Sequence, residues 1–505
     1  MGKRFLKQAL PVIVLLLSGP GLALAQTADG LTYQQPPAPI PDILDTRPTP
    51  LPSLSPDRGT LALFERSNLP SIAELAEPML RLAGYRINPR NNGPANSRVT
   101  WLTGLSFQPV AGGAARPVIL PDGARFTSPA WSPDGRAVAL LIDQPTGLEL
   151  WVADVASARA RRLTGPRVNA TTGSGLTWLP DSSGLVVETV PAGRGAAPDV
   201  SRPPSGPTVE ESMARAAPVR TYQDLLANAG DEALFDHYFT SQLVHVPLQG
   251  AIRPIGTPGV ILGTSVSPDG RYLLQTVARR PYSYVVPAAL FPADIVVTDL
   301  GGRIVHRVAS LPLRDDIPSP FDAVATGPRS VQWRADAPAT LAWTEAQDGG
   351  DPRTPAEVRD RVFMLAAPFA STPVPLVDLG ERYAGITWGR DDVALVYSRW
   401  FNTRHETRYL VDPSRPGQGR VLLERNYQDR YNDPGAAVTE PNAAGRPVIR
   451  FTGDGTKVLI EGGGATRAGQ YPFLGTLDLA TGQTERLWTS ADGEYETIVG
   501  FVDEA

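Results

Sequence analysis

A turn that keeps returning constrains this chain more than any other feature. An apolar or aromatic residue, a tight turn carrying aspartate and an alternating strand follow one another at Leu54-Ser55-Pro56-Asp57, Trp131-Ser132-Pro133-Asp134-Gly135, Trp178-Leu179-Pro180-Asp181 and Val266-Ser267-Pro268-Asp269-Gly270. Looser copies stand at Trp333-Arg334-Ala335-Asp336, Trp388-Gly389-Arg390-Asp391 and Phe451-Thr452-Gly453-Asp454-Gly455. Proline presets φ for the turn, aspartate accepts hydrogen bonds from nearby backbone N–H groups, and glycine takes positive φ without a Cβ clash. In several units a hairpin comes next, as at residues 150–155 with 161–164, 295–300 with 304–305, and 474–479 with 484–488. The two halves together make about four strands per unit. Seven such units predict an all-β fold, a β-propeller of about seven four-stranded blades. Residues 496–502 read as one more strand, so the last blade is either complete or cut short at residue 505.

The repeat also resolves a size problem. With 505 residues the chain exceeds what one compact core holds, about 250–300 residues, and a ring of sheets avoids the need for a single core. The units are spaced more widely than a regular 40–45-residue blade, so some blades carry long loops. Residues 191–219, rich in Ala, Pro, Gly and Ser, are one. Short helices are expected at residues 71–82, limited by Pro78, and at 221–229, with Thr221 as N-cap.

Residues 1–25 read as a secretory signal: Lys3, Arg4 and Lys7, an apolar run at 9–17, then Ala23-Leu24-Ala25 before cleavage. Pro11, Ser18 and Pro20 break the run, which is short for a bilayer span. The expected location is periplasmic or secreted, with no membrane attachment after cleavage. Residues 26–53 form a proline-rich lead-in, and 54–505 the propeller.

Little catalytic chemistry fits these residues. The net charge is −5 and the positive charge is not concentrated, so no nucleic-acid partner is expected. With no cysteine there is no disulfide, thiolate metal site or cysteine nucleophile. No serine has the G-x-S-x-G surroundings of a nucleophile elbow; Ser106 and Ser265 match only its first half. His405-Glu406 opens an H-E-x-x-H metal motif, but Tyr409 replaces the second histidine. His237, His245 and His306 read as packed or surface residues. The acidic loop Asp348-Gly349-Gly350-Asp351 lacks the ligand spacing of a calcium loop and reads as a turn. Arg159, Arg161 and Arg162 read as a solvated outer face. No catalytic residue, metal or cofactor is expected.

Segments outside the repeat carry a resemblance. Leu82-Ala83-Gly84, Leu120-Pro121-Asp122-Gly123-Ala124, Val219-Arg220-Thr221-Tyr222-Gln223-Asp224-Leu225-Leu226, Arg280-Pro281-Tyr282-Ser283, Gln347-Asp348-Gly349-Gly350-Asp351 and Gly462-Gly463-Gly464-Ala465-Thr466, in that order, resemble the propeller portion of glutamyl endopeptidases, a branch of the prolyl oligopeptidase family of serine peptidases. The resemblance runs from about Leu54 to the C-terminus. It implies a propeller that screens peptide substrates for a C-terminal α/β-hydrolase domain, which cuts after glutamate. No position here matches that domain's Ser, Asp or His motifs. This implies a chain inactive by itself, whose hydrolase partner is encoded separately or lost by truncation. A stand-alone periplasmic binding or scaffolding propeller is the alternative. If the first reading holds, Arg279, Arg280, Arg334, Arg399 and Arg404 are the candidates to steer glutamate side chains, because guanidinium pairs bidentately with carboxylate; pairing to the propeller's own aspartates is the competing use of the same residues.

Overall fold

The computed structural model describes residues 36–95, 99–200 and 220–502. Residues 1–25, expected to be a signal, and most of the 191–219 loop therefore lie outside the described residues. Contacts divide the chain at Thr46. On the N-terminal side the described part holds one short helix, α1 (Ile40–Leu44). From Arg47 onward the chain is a series of antiparallel meanders. The first strand, Leu51–Leu54, begins inside the segment assigned above to the lead-in.

Seven four-stranded units follow in chain order, as a β-propeller requires. The fourth strand of blade 3 and the first of blade 4 are one continuous strand, Arg253–Val266. Blades 5 and 6 are separate sheets, Arg329–Trp333 through Val374–Leu379 and Arg382–Arg390 through Gly419–Asn426. Blade 7 has its fourth strand at Thr484–Thr489, so four strands are present without residues 496–502. The expected strand there does not form: Gly500 packs on the Leu54 side chain, with no room for a Cβ, and the segment makes no ladder.

The recurring turn is a recurring clamp. Ser132 Oγ donates to Asp134 at 2.6 Å and accepts from the Ala137 amide at 3.0 Å. Ser267 does the same with Asp269 and Tyr272, and Thr452 with Asp454 and Lys457. One hydroxyl thereby closes the turn and starts the second strand. Between neighbouring sheets, apolar faces merge. Ala139, Leu141 and Leu150 of blade 2 pack with Leu185, Val187 and Val246 of blade 3, and Val362 and Leu376 of blade 5 with Ala394 and Val396 of blade 6.

The inner strand of blade 7 is interrupted. It leaves the sheet after Val438, whose amide donates to Leu459, and returns at Arg450, whose carbonyl accepts from Leu459. Between them a hairpin, Thr439–Pro441 paired with Pro447–Ile449, projects from the sheet. Its residues reach the first turns of four other blades. Arg58 of blade 1 pairs with Glu440 at 2.8 Å, and Pro133 of blade 2 lies against Gly445. The Val266 carbonyl of blade 4 accepts from Arg446, and the Ala335 carbonyl of blade 5 accepts from Asn442 at 2.9 Å. One hairpin can touch four other sheets on opposite sides of the ring only where their first strands converge, so it lies across the hub of the ring.

The first expected helix is shortened and the second is displaced. In the first region only Ile72–Leu75 is helical (α2), held by a capping box between Ser71 and Glu74, and residues 80–82 are a strand. In the second, Thr221 caps nothing, and Asp224 takes positive φ while its carboxylate pairs with Arg86. The helix α3 spans Ala229–Phe239, with Asn228 as N-cap accepting from the Asp231 amide.

Candidate functional site

Meander connectivity sorts the loops. In an antiparallel sheet, successive connections alternate between its two ends. The Ser-Pro-Asp-Gly turns and the outer hairpin turns therefore share one face of the ring. The connections within blades after the second strand, and those between blades, share the other. Apart from the hairpin of blade 7, the long excursions among the described residues lie on that second face, including the described parts of 67–101 and 190–239 and residues 279–292, 312–328 and 347–359. This loop face is the candidate site, while the hairpin of blade 7 sits at the short-turn face.

The excursions have a core of their own. Phe235 and Phe239 of α3 pack with Leu82, Ile87, Leu226 and Phe291, and the Phe235 and Phe239 rings stack at 4.5 Å. Loops from blades 1, 3 and 4 are thus joined into one apolar cluster that fixes their polar residues.

Connectivity brings four of the five candidate arginines to this face. Arg279 and Arg280 follow the second strand of blade 4, and Arg399 and Arg404 flank the corresponding loop of blade 6. Arg334 lies instead in the short turn of blade 5, side chain 9% exposed, paired with Asp336 at 2.5 Å and stacked over Trp388. It faces the wrong end of the ring.

Three of the other four are already neutralised. Arg279 pairs with Asp294 at 3.1 Å. Arg280 bridges Glu232 and Asp236 of α3 at 2.5 and 2.6 Å, and hydrogen bonding to Asp236 holds its pKa well above the ordinary arginine value. Arg399 pairs with Glu406 at 2.6 Å. Glu406 is 1% exposed and also takes Arg408 at 3.0 Å and Arg425 at 3.3 Å. Burial pushes its carboxyl up, but Arg399 and Arg408 outweigh it and hold the pKa below the usual carboxylate value. Arg404 alone of the five has no carboxylate partner among the described residues. Its guanidinium donates to the Phe401 carbonyl at 2.6 Å and lies 3.6 Å over the Phe401 ring.

Arg404 belongs to a group the sequence reading missed. Phe321, 64% exposed, stacks on Phe401 at 3.7 Å. Arg220 holds the Phe321 loop through the carbonyls of Pro318, Pro320 and Ala323, and Asp322 accepts from the Phe401 amide. Two loops from different blades thus present stacked rings with an uncompensated cation on one of them. Only the tertiary fold joins these positions, 80 residues apart in sequence. Behind them, Arg382 (5% exposed) pairs with Asp348 and Asp360 at 2.7 and 3.0 Å. The acidic loop is therefore a fixed anchor, its Asp348 taken by Arg359 and Arg382.

A serine, a histidine and an acid do meet on this face. Ser398 donates to Glu381 at 3.0 Å, and His405 Nδ1 lies 2.7 Å from the other Glu381 oxygen. The acid sits between the other two, so the imidazole cannot take the serine proton, and Ser398 is fully buried. Among the described residues no cluster of three or more His, Cys, Asp or Glu side chains is placed to hold a metal, and no helix is long and apolar enough to cross a membrane.

No protein-family model matches the chain. Two curated proteins do: a probable chloroplastic glutamyl endopeptidase of Arabidopsis thaliana, 38% identical over 95% of this chain and 52% of that protein, and its counterpart in Oryza sativa subsp. japonica, 37% identical over 94% and 52%. The chain spans about half the length of these relatives. Solved structures that resemble it include a prolyl endopeptidase, with TM-score 0.43 and 11% identity over 88% of this chain and 50% of that one. Another is the β-propeller domain of the Trilobed protease from Pyrococcus furiosus, with TM-score 0.38 and 10% identity over 90% and 98%. Over nearly its whole length, this β-propeller chain is similar in sequence to about half the length of the chloroplastic glutamyl endopeptidases.

Proposed function

We propose that this chain is the substrate-admitting propeller of a glutamyl endopeptidase-like serine peptidase. In this reading Ser, Asp and His come from an α/β-hydrolase domain with which the propeller works. The observation that carries this reading is the segregation of the ring's two faces. Long, mutually packed excursions with exposed aromatic and cationic groups crowd one face, and a hairpin lies across the hub at the other. A peptide approaching the ring meets recognition groups only from the loop side and cannot thread straight through. Arg404 with the Phe321–Phe401 stack is the part of the original arginine set left free to meet an acidic side chain. Arg279, Arg280 and Arg399 hold the loop face together instead, since their carboxylate partners are already in place. The propeller acts in an exported compartment, after loss of residues 1–25. A stand-alone binding propeller uses the same loop face, and the two readings differ in whether a hydrolase domain works with it.

The purified chain is incubated with a quenched fluorescent peptide containing one glutamate, and both cleavage and binding are followed. The expected result is binding without cleavage. Cleavage after glutamate that a serine-directed inhibitor blocks would overturn the proposal. Adding an α/β-hydrolase domain of the family separates the readings: a gating propeller changes that domain's preference for peptide length, and a stand-alone binder leaves it unchanged.

A further inference from the structure

Glu188 ends the second strand of blade 3, Gly184–Thr189, and is only 7% exposed. No arginine, lysine or histidine among the described residues pairs with it. A carboxylate this far from water is strongly disfavoured without a counter-charge. Burial accordingly pushes its pKa up to about 7, with the hydroxyls of Ser241 and Thr264 pulling the other way. The neighbouring Tyr85 phenol is raised by its own burial and then by the charge of Glu188.

The carboxyl does not face solid protein. It lines a niche of about 180 Å³ between blades 3 and 4. The rim is polar: Ser174 is exposed and Thr177 and Thr264 are half-buried. Gly173 and Gly263 border open space, with no atom within 4 Å of where a side chain would begin. The Thr264 hydroxyl is buried there, near enough to the Glu188 carboxyl to lower its pKa but with no hydrogen bond of good geometry. An acid without a counter-charge and a hydroxyl beside it therefore meet in one small space near the loop-face end of the inner strands.

We propose that this niche binds a small monovalent cationic group, with Glu188 as its counter-charge. An ammonium would donate to the Glu188 carboxylate and to the Thr264 hydroxyl, and an alkali cation would take the same oxygens as ligands. Both sources, a free ion and the amino terminus of a peptide, share this chemistry. Binding requires the ionised acid, so protons compete with the ligand. The site does not depend on the peptidase reading.

The test uses the full chain. Melting temperature is followed by near-UV circular dichroism against potassium chloride, methylammonium chloride and glycinamide, with choline chloride holding ionic strength constant and N-acetylglycinamide as the uncharged control. At least one cation should raise the melting temperature with saturation. Its apparent affinity should rise about tenfold per pH unit below pH 7 and level off above it. Glu188→Gln should abolish the effect, and Thr264→Val, which keeps the acid, should weaken it several-fold. A glycinamide response with no potassium response assigns the niche to amino termini, and the reverse assigns it to free ions. No saturable response to any of the three, a response without the pH slope, or an equal response in Glu188→Gln would overturn the proposal. Should Glu188→Gln fail to fold, the Thr264→Val titration and the pH slope decide.

Discussion

The side-chain amide of Asn442 donates to the backbone carbonyl of Ala335 at 2.9 Å, joining blade 7 to blade 5 across the hub. Neighbouring blades can be held by their merged apolar faces, but blades 5 and 7 are not neighbours. The hairpin that carries Asn442 is thus a brace as well as a plug. It engages Arg58, Pro133 and Val266 in the same way.

Asn442→Ala should lower the free energy of unfolding by about 1–2 kcal/mol, the loss expected for a half-buried hydrogen bond whose acceptor is left without its donor. Urea denaturation followed by tryptophan fluorescence measures it. Shortening the hairpin to a two-residue link between Val438 and Arg450 should destabilise more, and should let a small dye reach the hub from the short-turn face.

The anchor beneath the loop face predicts a larger effect. Arg382, Asp348 and Asp360 are almost wholly buried, and removing Arg382 takes a charge-assisted hydrogen bond from each acid while leaving Asp348 with Arg359 and Asp360 with Arg329. Arg382→Met should destabilise by about 2–3 kcal/mol. Arg353→Met, whose partner Asp351 is on the surface, should fall within about 1 kcal/mol of the parent. Chemical denaturation of both variants side by side tests the contrast.

Glu188 makes stability fall as pH rises. Its folded pKa of about 7 lies above its ordinary value of 4.5. The folded state therefore binds the proton more tightly than the unfolded chain, and the stabilisation is complete below pH 4.5 and lost by the time pH passes 7. The difference amounts to on the order of 3 kcal/mol. His237, His245 and His306, whose pKa values burial lowers, act in the opposite sense over part of this window. The comparison to make is wild type against Glu188→Gln from pH 4.5 to 8, where only the wild type should carry the falling component.

Arginine substitutions should separate recognition from architecture. Arg404→Ala should weaken binding of a glutamate-containing peptide several-fold with little loss of stability. Arg280→Ala should loosen α3, detectable as faster amide exchange around Glu232 and Asp236, and affect binding less. Fluorescence anisotropy on both variants gives the answer, and equal binding by Arg404→Ala and wild type would remove Arg404 from the site.

The sequence by itself determined the ring. A turn whose hydroxyl and aspartate do the same job in four of the seven units is legible because its chemistry is local, and four-strand units with no room for a single core leave few other folds. The kinship was legible for a similar reason, being carried by contiguous segments. Local signals found the first helix, though longer than it is, and misplaced the second, because the pairing of Asp224 with Arg86, 138 residues away, reshapes residues 221–228. They also could not tell which arginines were free. Arg280 and Arg404 look alike in sequence, and one is cancelled by a helix 44 residues upstream while the other sits on a ring stack assembled from two blades. Likewise Glu188 reads as one polar residue at the end of a strand, and the hairpin at 439–449 as an ordinary insertion. Only tertiary structure decided which face each loop occupied, which charges were cancelled and what lay across the hub, because charge cancellation, burial and niche formation depend on groups brought together through space.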